Sequence, residues 1–251
     1  MYLWENLYYE KIFGKTLDFI STYGTIIQVV INDYTGKKMN KKTELVLKTY
    51  ELLKTAGPYD IKIRTIADAC NCTTTVIYRH FDDLDHLIRF ASVRFLENYI
   101  VEIQSITNEK TDALEMVETL WEVFAKYAFK NIEVFDELFW GKYKEKLGDT
   151  IFEYYQMFPD EWKNLDGLFT TIFFNNDILE RTYTMVRRAA MIGYFSLDDS
   201  QMLSDMECSL FHGLMLEYRD KYRLPGKAEE GAAYYMEMLY SLHEHYQIKK
   251  G

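Results

Sequence analysis

The chain has 251 residues, a formal net charge of −10 at pH 7 and a hydrophobic content of 48%, which is enough for a small module and a larger domain with its own core. Its three cysteines exclude a disulfide framework and indicate a reducing, cytoplasmic environment. Three prolines, Pro58, Pro159 and Pro225, separate long stretches in which apolar residues recur at helical spacing. We therefore expect an all-α protein.

Residues 1–38 form an N-terminal extension with two open interpretations. The uncharged stretch Phe19–Asn32 spans 14 residues, short of the roughly 18 that suggest a membrane span, and the extension lacks a small-residue cleavage site. Neither an anchor nor a signal peptide is supported, so we expect no membrane partner. Either the extension is an aromatic-rich arm with a strand-like segment at Thr25–Ile31, or translation starts at Met39 and gives a short basic arm.

The next segment predicts three helices. The first covers about Lys41–Thr55, and the second covers Ile63–Cys70, where apolar residues lie three and four positions apart. Asn71 follows at a turn, and asparagine tolerates the left-handed conformation that ends a helix. The hydroxyl of Thr73 can then cap a short third helix. This arrangement is typical of a helix-turn-helix DNA-binding motif.

The third helix has an inner face and an outer face. Ile77 and Phe81 lie four residues apart and turn inward, while Thr75, Tyr78 and Arg79 turn outward. Hydroxyl and phenol groups reach phosphates, and an arginine can reach a phosphate or make a bidentate contact to guanine. The outer face therefore predicts contact with double-stranded DNA.

These residues resemble the DNA-binding module of the TetR-type transcriptional regulators. The matching positions are Gly57, Tyr59, Ile63, Ile66, Ala67, Ile77, Tyr78, His80, Phe81 and Leu87, with Thr73 in place of a serine. The departures are Cys70 for Ala, Asn71 for Gly, Cys72 for Val, Thr75 for Gly, Val76 for Thr, Leu84 for Lys, and Pro58 inserted between Gly57 and Tyr59. The resemblance covers roughly residues 41–95, and the lost lysine removes a phosphate contact that family members often make.

The resemblance implies a division of roles on this surface. Thr74, Thr75 and Arg79 are expected to face bases or adjacent phosphates. A second group is expected to hold the DNA backbone, with Arg64 able to do either: Lys62, Thr73, Tyr78 and His80.

Charge is divided unevenly along the chain. Residues 37–90 carry ten Lys and Arg against seven Asp and Glu, whereas residues 91–251 have a net charge of −11. The acidic part repels nucleic acid, so phosphate contacts are expected in and just before the motif. The cations expected there are Lys37, Lys38, Lys41, Lys42, Lys62, Arg64 and Arg79. Cys70 and Cys72 are interpreted as core residues rather than as a metal or redox pair, because no neighbouring His or Cys completes a ligand set.

A long helix at about Leu84–Gln104 is predicted to connect the module (residues 39–90) to a helical domain (residues 91–251) and to transmit movement as a rigid body. Further helices are predicted at Thr111–Lys130, Ile132–Leu147, Thr150–Met157, Asp160–Phe174, Asp177–Phe195, Asp198–Tyr222 and Lys227–Gln247.

The last two predicted helices are candidates for a homodimer interface. The resemblance implies this role, because two such helices of each subunit form the dimer interface in that family. Their apolar residues are Met202, Met206, Leu210, Gly213, Leu214, Leu216 and Tyr218 on one helix, and Ala232, Ala233, Tyr235, Met236, Leu239 and Leu242 on the other. A dimer carries two recognition helices about 34 Å apart and can read a palindromic operator.

The middle of the chain is rich in aromatic residues, and the resemblance implies a pocket there for a small-molecule effector. Aromatic residues at helical spacing are more often core. The candidate ligand-binding residues are Trp121, Phe124, Phe129, Trp140, Tyr155, Phe173, Tyr183 and Arg187. Arg187 and Arg188 need partners in an otherwise apolar helix, either an acidic effector or Glu180 and Asp177 at the surface.

The sequence also bears on two other classes of function. A helical di-iron enzyme needs Glu-x-x-His twice, and none of the five histidines has a Glu three residues before it. His243 and His245 point about 200° apart on a helix and do not form a metal pair. No nucleophile elbow or phosphate loop is present, so we expect no catalytic residue, no metal and no cofactor. A second alternative stays open: a protein that keeps the fold but acts through protein–protein contacts without binding an operator.

Taken together, these features predict a cytoplasmic, homodimeric TetR-like regulator. We expect it to be a repressor that a small molecule releases from a palindromic operator.

Overall fold

The computed structural model describes residues 40–107, 112–161, 170 and 172–248. The extension 1–38, and most of the helix predicted at Asp160–Phe174, lie outside the described residues. The α-helices used below are α1 Lys41–Leu53, α2 Ile63–Ala69, α3 Thr74–Tyr78, α4 Leu84–Ser92, α5 Glu97–Thr107, α6 Ala113–Ala128, α7 Ile132–Trp140, α8 Leu147–Met157, α9 Ile178–Met191, α10 Ser200–Tyr218 and α11 Lys227–Tyr246. The described residues contain no β-strand, and none of their helices is long and apolar enough to cross a membrane.

The turn between α2 and α3 has the geometry expected from the sequence. Asn71 has φ +47°, in the left-handed region. Its N–H donates to the carbonyl of Asp68 (3.1 Å) and the N–H of Cys72 donates to that of Ala67 (2.9 Å), which together form a Schellman motif that satisfies the last carbonyls of α2. Thr73 precedes α3 but its hydroxyl makes no capping hydrogen bond, so that part of the prediction is wrong.

A shared apolar core holds α1 to α4 together. Leu45 and Val46 of α1, Ile66 of α2 and Ile77 of α3 are fully buried, and Phe81 closes the core after α3. Since α3 has only five residues, its helical propensity is negligible and this burial fixes its position. The predicted inward direction of Ile77 and Phe81 is confirmed.

The connector is not the single α-helix that the sequence predicts. Between α4 and α5 the backbone tightens into a 3₁₀ segment, Val93–Leu96. At its start the Ser92 hydroxyl donates to the carbonyl of Ile88 at 2.9 Å, a back-bond that bends helices. A 3₁₀ stretch inside a helix often marks a hinge, so the connector cannot be treated as one rigid rod.

The helical domain packs around aromatic side chains of α6, α7 and α10. Phe124 lies 5.0 Å from Phe139 and 5.1 Å from Phe211 between ring centroids, and such contacts stabilise a core beyond the apolar area that they bury. Helix α9 lies against both α6 and α10, and α11 lies against α6 and α10. The predicted helix at Ile132–Leu147 is interrupted, because α7 ends at Trp140 and a 3₁₀ turn precedes α8.

Polar contacts dock the N-terminal helical module on the helical domain. The Tyr59 hydroxyl donates to Asp136 Oδ2 of α7 at 3.0 Å, and Asp83, which caps α4, accepts from Lys142 and Tyr143. Asp136 also accepts from Nη2 of Arg219, the residue that follows α10, at 2.7 Å. One buried carboxylate therefore joins the loop before α2 to α7 and α10.

Candidate DNA-binding surface and effector cavity

The side chains predicted to bind DNA form one exposed surface around α3. Tyr78, Arg79 and His80 are exposed at the end of α3, with Tyr78 54% exposed. Thr73 and Thr75 are exposed at its start, and Thr74 is half-buried. Lys62 and Arg64, at the beginning of α2, are exposed as well.

The cations of this region fall into two groups. Lys41 Nζ donates to the carbonyl of Cys70 at 2.9 Å and pairs with Glu44 at 3.0 Å, and Lys42 pairs with Glu153 at 3.5 Å. Lys41 makes its contacts within the module and Lys42 pairs with α8 of the helical domain, so both are weaker candidates for phosphate contacts than the sequence suggests. The second group, Lys62, Arg64 and Arg79, has no ion pair within the described part of the chain.

Arg89 is completely buried. It is one of the ten Lys and Arg residues that give residues 37–90 their excess of positive charge. It therefore adds no charge to the exposed surface. Its Nε donates to Thr150 Oγ1 at 3.2 Å, and neither Nη1 nor Nη2 has a hydrogen-bond partner among the described residues.

The two cysteines of the motif are free thiols. Cys70 is buried, and burial raises the pKa of its thiol to about 11. Cys72 is half-buried and packs against the same core. A thiol with a raised pKa is unreactive at neutral pH, as expected of a core residue.

A cavity of about 90 Å³ lies in the helical domain. Its walls come from α5, α6 and α9, with Phe139 of α7 and the residues just before α9. The lining residues are Tyr99, Ile100, Ile103, Val117, Leu120, Trp121, Phe124, Phe139, Ile172, Phe173, Ile178, Arg181, Thr182 and Met185. Of the residues predicted to bind a ligand, it brings together Trp121, Phe124 and Phe173.

The other predicted ligand residues do not line this cavity. Phe129 packs on Phe211 and Tyr218 in the core, at 5.6 Å and 5.8 Å between centroids. Trp140 stacks on His212, with centroids 4.5 Å apart and an interplanar angle of 4°.

Tyr155 is buried beside Tyr154, with centroids 5.3 Å apart. Arg187 Nη1 donates to the hydroxyl of Tyr183 one turn away at 2.9 Å. This pair occupies a different face of α9 from the cavity.

Arg181 is the cavity residue that the sequence argument missed. It lies in α9 at helical spacing from Ile178 and Met185, so its place on the apolar face could have been read from that spacing. Arg187 is six residues further on, about 240° around the helix, and faces away.

Behind Trp121 lies a buried polar cluster. Trp121 Nε1 donates to Glu207 Oε2 at 2.7 Å, and His243 contacts both Glu207 Oε1 and Glu118 Oε1 at 2.9 Å. Glu207 belongs to α10 and His243 to α11. The cavity wall is therefore hydrogen-bonded to both helices that were predicted to dimerise.

Helices α10 and α11, which were predicted to dimerise, bury some of their apolar residues and expose others. Leu214 and Tyr235 are buried inside the chain, so part of the predicted face packs within the chain. Met202, Met206 and Leu216 of α10 are exposed, as are Tyr234 and Tyr240 of α11.

The chain is similar to known proteins in its structure. No family model and no curated protein matches the chain. It is similar to the fatty acid degradation regulator FadR from Bacillus halodurans, with 16% identity and a TM-score of 0.47 over 81% of this chain and 96% of that one. It is similar to the TetR family transcriptional regulator PfmR from Thermus thermophilus, with 16% identity and a TM-score of 0.46 over 78% and 96% of the two chains.

A third solved structure concerns the control of antibiotic production by bacterial hormones. It has 13% identity to this chain and a TM-score of 0.50, over 84% of this chain and 100% of that one. The two proteins share a fold. The predicted all-α fold with an N-terminal helix-turn-helix module is confirmed.

Proposed function

We propose that the protein is a TetR-like DNA-binding transcriptional regulator, with a DNA-binding module at residues 39–90 and a sensing and dimerisation domain at residues 91–251. The observation that carries the proposal is the two-sided character of α3. Its inner face is fully buried through Ile77, whereas its outer face exposes Tyr78 and Arg79 beside Lys62 and Arg64. Exposed cations without ion-pair partners, next to hydroxyl groups, suit a phosphate backbone and a groove.

A homodimer through α10 and α11 is the second part of the proposal. Met202, Met206 and Leu216 form an exposed apolar stripe on α10, and Tyr234 and Tyr240 are exposed on α11. Exposed apolar patches of this kind mark interaction sites, and a two-fold axis brings identical patches together. A dimer places two copies of α3 on one face and multiplies two modest affinities for DNA.

Release by a small molecule is the third part. The effector binds more tightly to the form of the dimer in which the two recognition helices are wrongly spaced for DNA. The affinity for the operator then falls by an amount set by the difference between the effector's affinities for the two forms. The Trp121–Glu207 hydrogen bond, and His243 beyond it, offer a physical connection from the cavity to the dimer helices. This function requires no cofactor and no catalytic residue, and the free thiols fit a cytoplasmic protein.

The test is selection from a pool of random duplex DNA by the full chain at two salt concentrations, followed by sequencing of the retained fraction. The matched control is a triple variant, Lys62→Ala, Arg64→Ala and Arg79→Ala, which leaves the module core untouched. We expect the wild-type protein to enrich a palindrome and the variant to enrich none. Absence of enrichment by the wild-type protein, or equal enrichment by the variant, rejects operator binding by this surface.

A further inference from the structure

Arg181 is a buried cation in the wall of an apolar cavity. Its Nη2 donates to the carbonyls of Phe173 and Asn175, both at 2.7 Å, and its Nε donates to Asn175 at 3.1 Å. Carbonyl oxygens orient a guanidinium but do not neutralise its charge. Within the described residues, no carboxylate lies at ion-pair distance from Arg181, and its Nη1 makes no hydrogen bond. A buried charge without a counter-ion is costly, and an anion placed beside it removes that cost.

Tyr99 adds a second donor to the same cavity. Burial raises the pKa of its hydroxyl to about 12, so that it stays protonated at neutral pH. This hydroxyl makes no hydrogen bond within the described part of the chain, and Tyr99 and Arg181 both line the cavity. A neutral O–H and a guanidinium N–H are both donors, and together they suit an acceptor that carries negative charge.

Arg89 strengthens the positive field. It is fully buried, and its Nη1 and Nη2 have no hydrogen-bond partner among the described residues. Burial and the repulsion of Arg89 lower the pKa of Arg181 to about 9. The charge of Arg89 therefore adds to the positive potential at Arg181.

The remaining walls of the cavity are apolar. Trp121, Phe124 and Phe139 supply aromatic surface, and Ile103 and Met185 supply aliphatic surface. The volume of about 90 Å³ is smaller than the roughly 150 Å³ of an apolar cavity that binds benzene. The cavity thus suits a small ligand, or one that widens it on entry.

We infer that this cavity binds a small organic acid, whose carboxylate pairs with Arg181 and Tyr99 and whose apolar body packs against Trp121 and Phe124. This inference rests on the proposed function only for its effect on DNA binding. The binding itself needs no DNA.

The experiment compares matched pairs of acids and primary amides of the same shape: butanoate, hexanoate, benzoate and phenylacetate, each with its amide. Binding to the full chain is measured by the shift in the thermal unfolding midpoint and by the intrinsic fluorescence of its four tryptophans, of which Trp121 lines the cavity. We expect at least one acid to bind about tenfold or more tightly than its amide, the size of effect given by a charge-assisted hydrogen bond.

Three variants test which residues cause the preference for an acid over its amide. Arg181→Met is expected to bind acid and amide equally, and Tyr99→Phe to weaken the acid more than the amide. Arg187→Met, on the same helix but outside the cavity, is the matched control and is expected to keep the wild-type preference. If Arg181→Met does not fold, Arg181→Lys keeps the charge but loses the fixed fork of donors, and is expected to reduce the preference for acid.

The inference is overturned if no member of the panel binds, if acids and amides bind the wild-type protein equally, or if the preference for acid survives both Arg181→Met and Tyr99→Phe. Acid binding together with failed DNA selection would reject the regulator and keep the site. Successful DNA selection without acid binding would reject this ligand class and keep the regulator.

Discussion

Nε2 of His243 on α11 lies 2.9 Å from Oε1 of Glu207 on α10, and both side chains are buried. The other ring nitrogen, Nδ1, lies 2.9 Å from Glu118 Oε1 on α6. Both ring nitrogens face carboxylate oxygens, and only the protonated imidazolium can donate to both. This cation therefore links three helices at the base of the cavity.

The charge of His243 predicts a loss of stability at alkaline pH. Burial alone would lower the pKa of the imidazole, but the hydrogen bonds to Glu118 and Glu207 outweigh it and raise the pKa to about 9, above its unfolded value near 6.5. The stabilisation is fully present below pH 6.5 and is lost as the pH rises through about 9. We expect the free energy of unfolding to fall by up to about 3 kcal/mol across that interval, measured by urea denaturation at a series of pH values.

His245 on the same helix supplies the control, because it is exposed. His245→Gln should leave the pH profile unchanged, whereas His243→Gln should lower stability at pH 6 and flatten the profile between pH 6.5 and 9. An unchanged profile in His243→Gln would show that the imidazolium contributes nothing to it.

Removal of the contact between Tyr59 and Asp136 is predicted to weaken the docking of the N-terminal module on the helical domain. Tyr59 is 56% exposed, so its ring contributes little to the core, but its hydroxyl donates to a buried carboxylate. We expect Tyr59→Phe to cost about 1 kcal/mol and to accelerate amide hydrogen exchange in the loop before α2. Tyr240→Phe, which removes an exposed hydroxyl on α11, should change neither quantity. Equal exchange in both variants would mean that other contacts dock the module.

The exposed apolar residues of α10 and α11 predict that one carboxylate per protomer disrupts the proposed dimer. Leu216 is 43% exposed, and in a two-fold assembly Leu216→Glu introduces two charges. We expect the dimer dissociation constant to rise by about tenfold or more, as measured by sedimentation equilibrium. Leu197→Glu, at a 55% exposed position between α9 and α10, should leave the constant unchanged. A dimer that tolerates Leu216→Glu would have to use another surface.

Local chemistry made the helix-turn-helix predictable. Asn71 signals a left-handed turn from its own side chain, and the spacing of Ile77 and Phe81 sets which face of α3 is buried. The break in the connector was not predictable in this way, because the apolar stripe of α4 continues into α5. The back-bond of Ser92 lies where the break begins.

The cavity and the buried ions depend on contacts between residues far apart in sequence. Trp121 and Glu207 are 86 residues apart, and His243 and Glu118 are 125 apart. Spacing along one helix cannot show such pairs. It does show that Arg181 shares a face of α9 with Met185, whereas the prediction of Arg187 rests on the adjacent pair Arg187 and Arg188.

The neighbouring positions Tyr78 and Arg79 predict two different losses of DNA binding. Both side chains are exposed, and Arg79 has no ion pair within the described part of the chain. If Arg79 reads a base, Arg79→Ala should cost about 1–3 kcal/mol on the selected operator and much less on random DNA. Tyr78→Phe removes a hydroxyl suited to a phosphate and should weaken both kinds of DNA alike. The measurement is fluorescence anisotropy with operator and random duplexes at fixed salt. Arg188→Ala, an exposed arginine on α9, is the control for the loss of one positive charge, and equal losses on both duplexes for Arg79→Ala would assign Arg79 to the phosphate backbone instead.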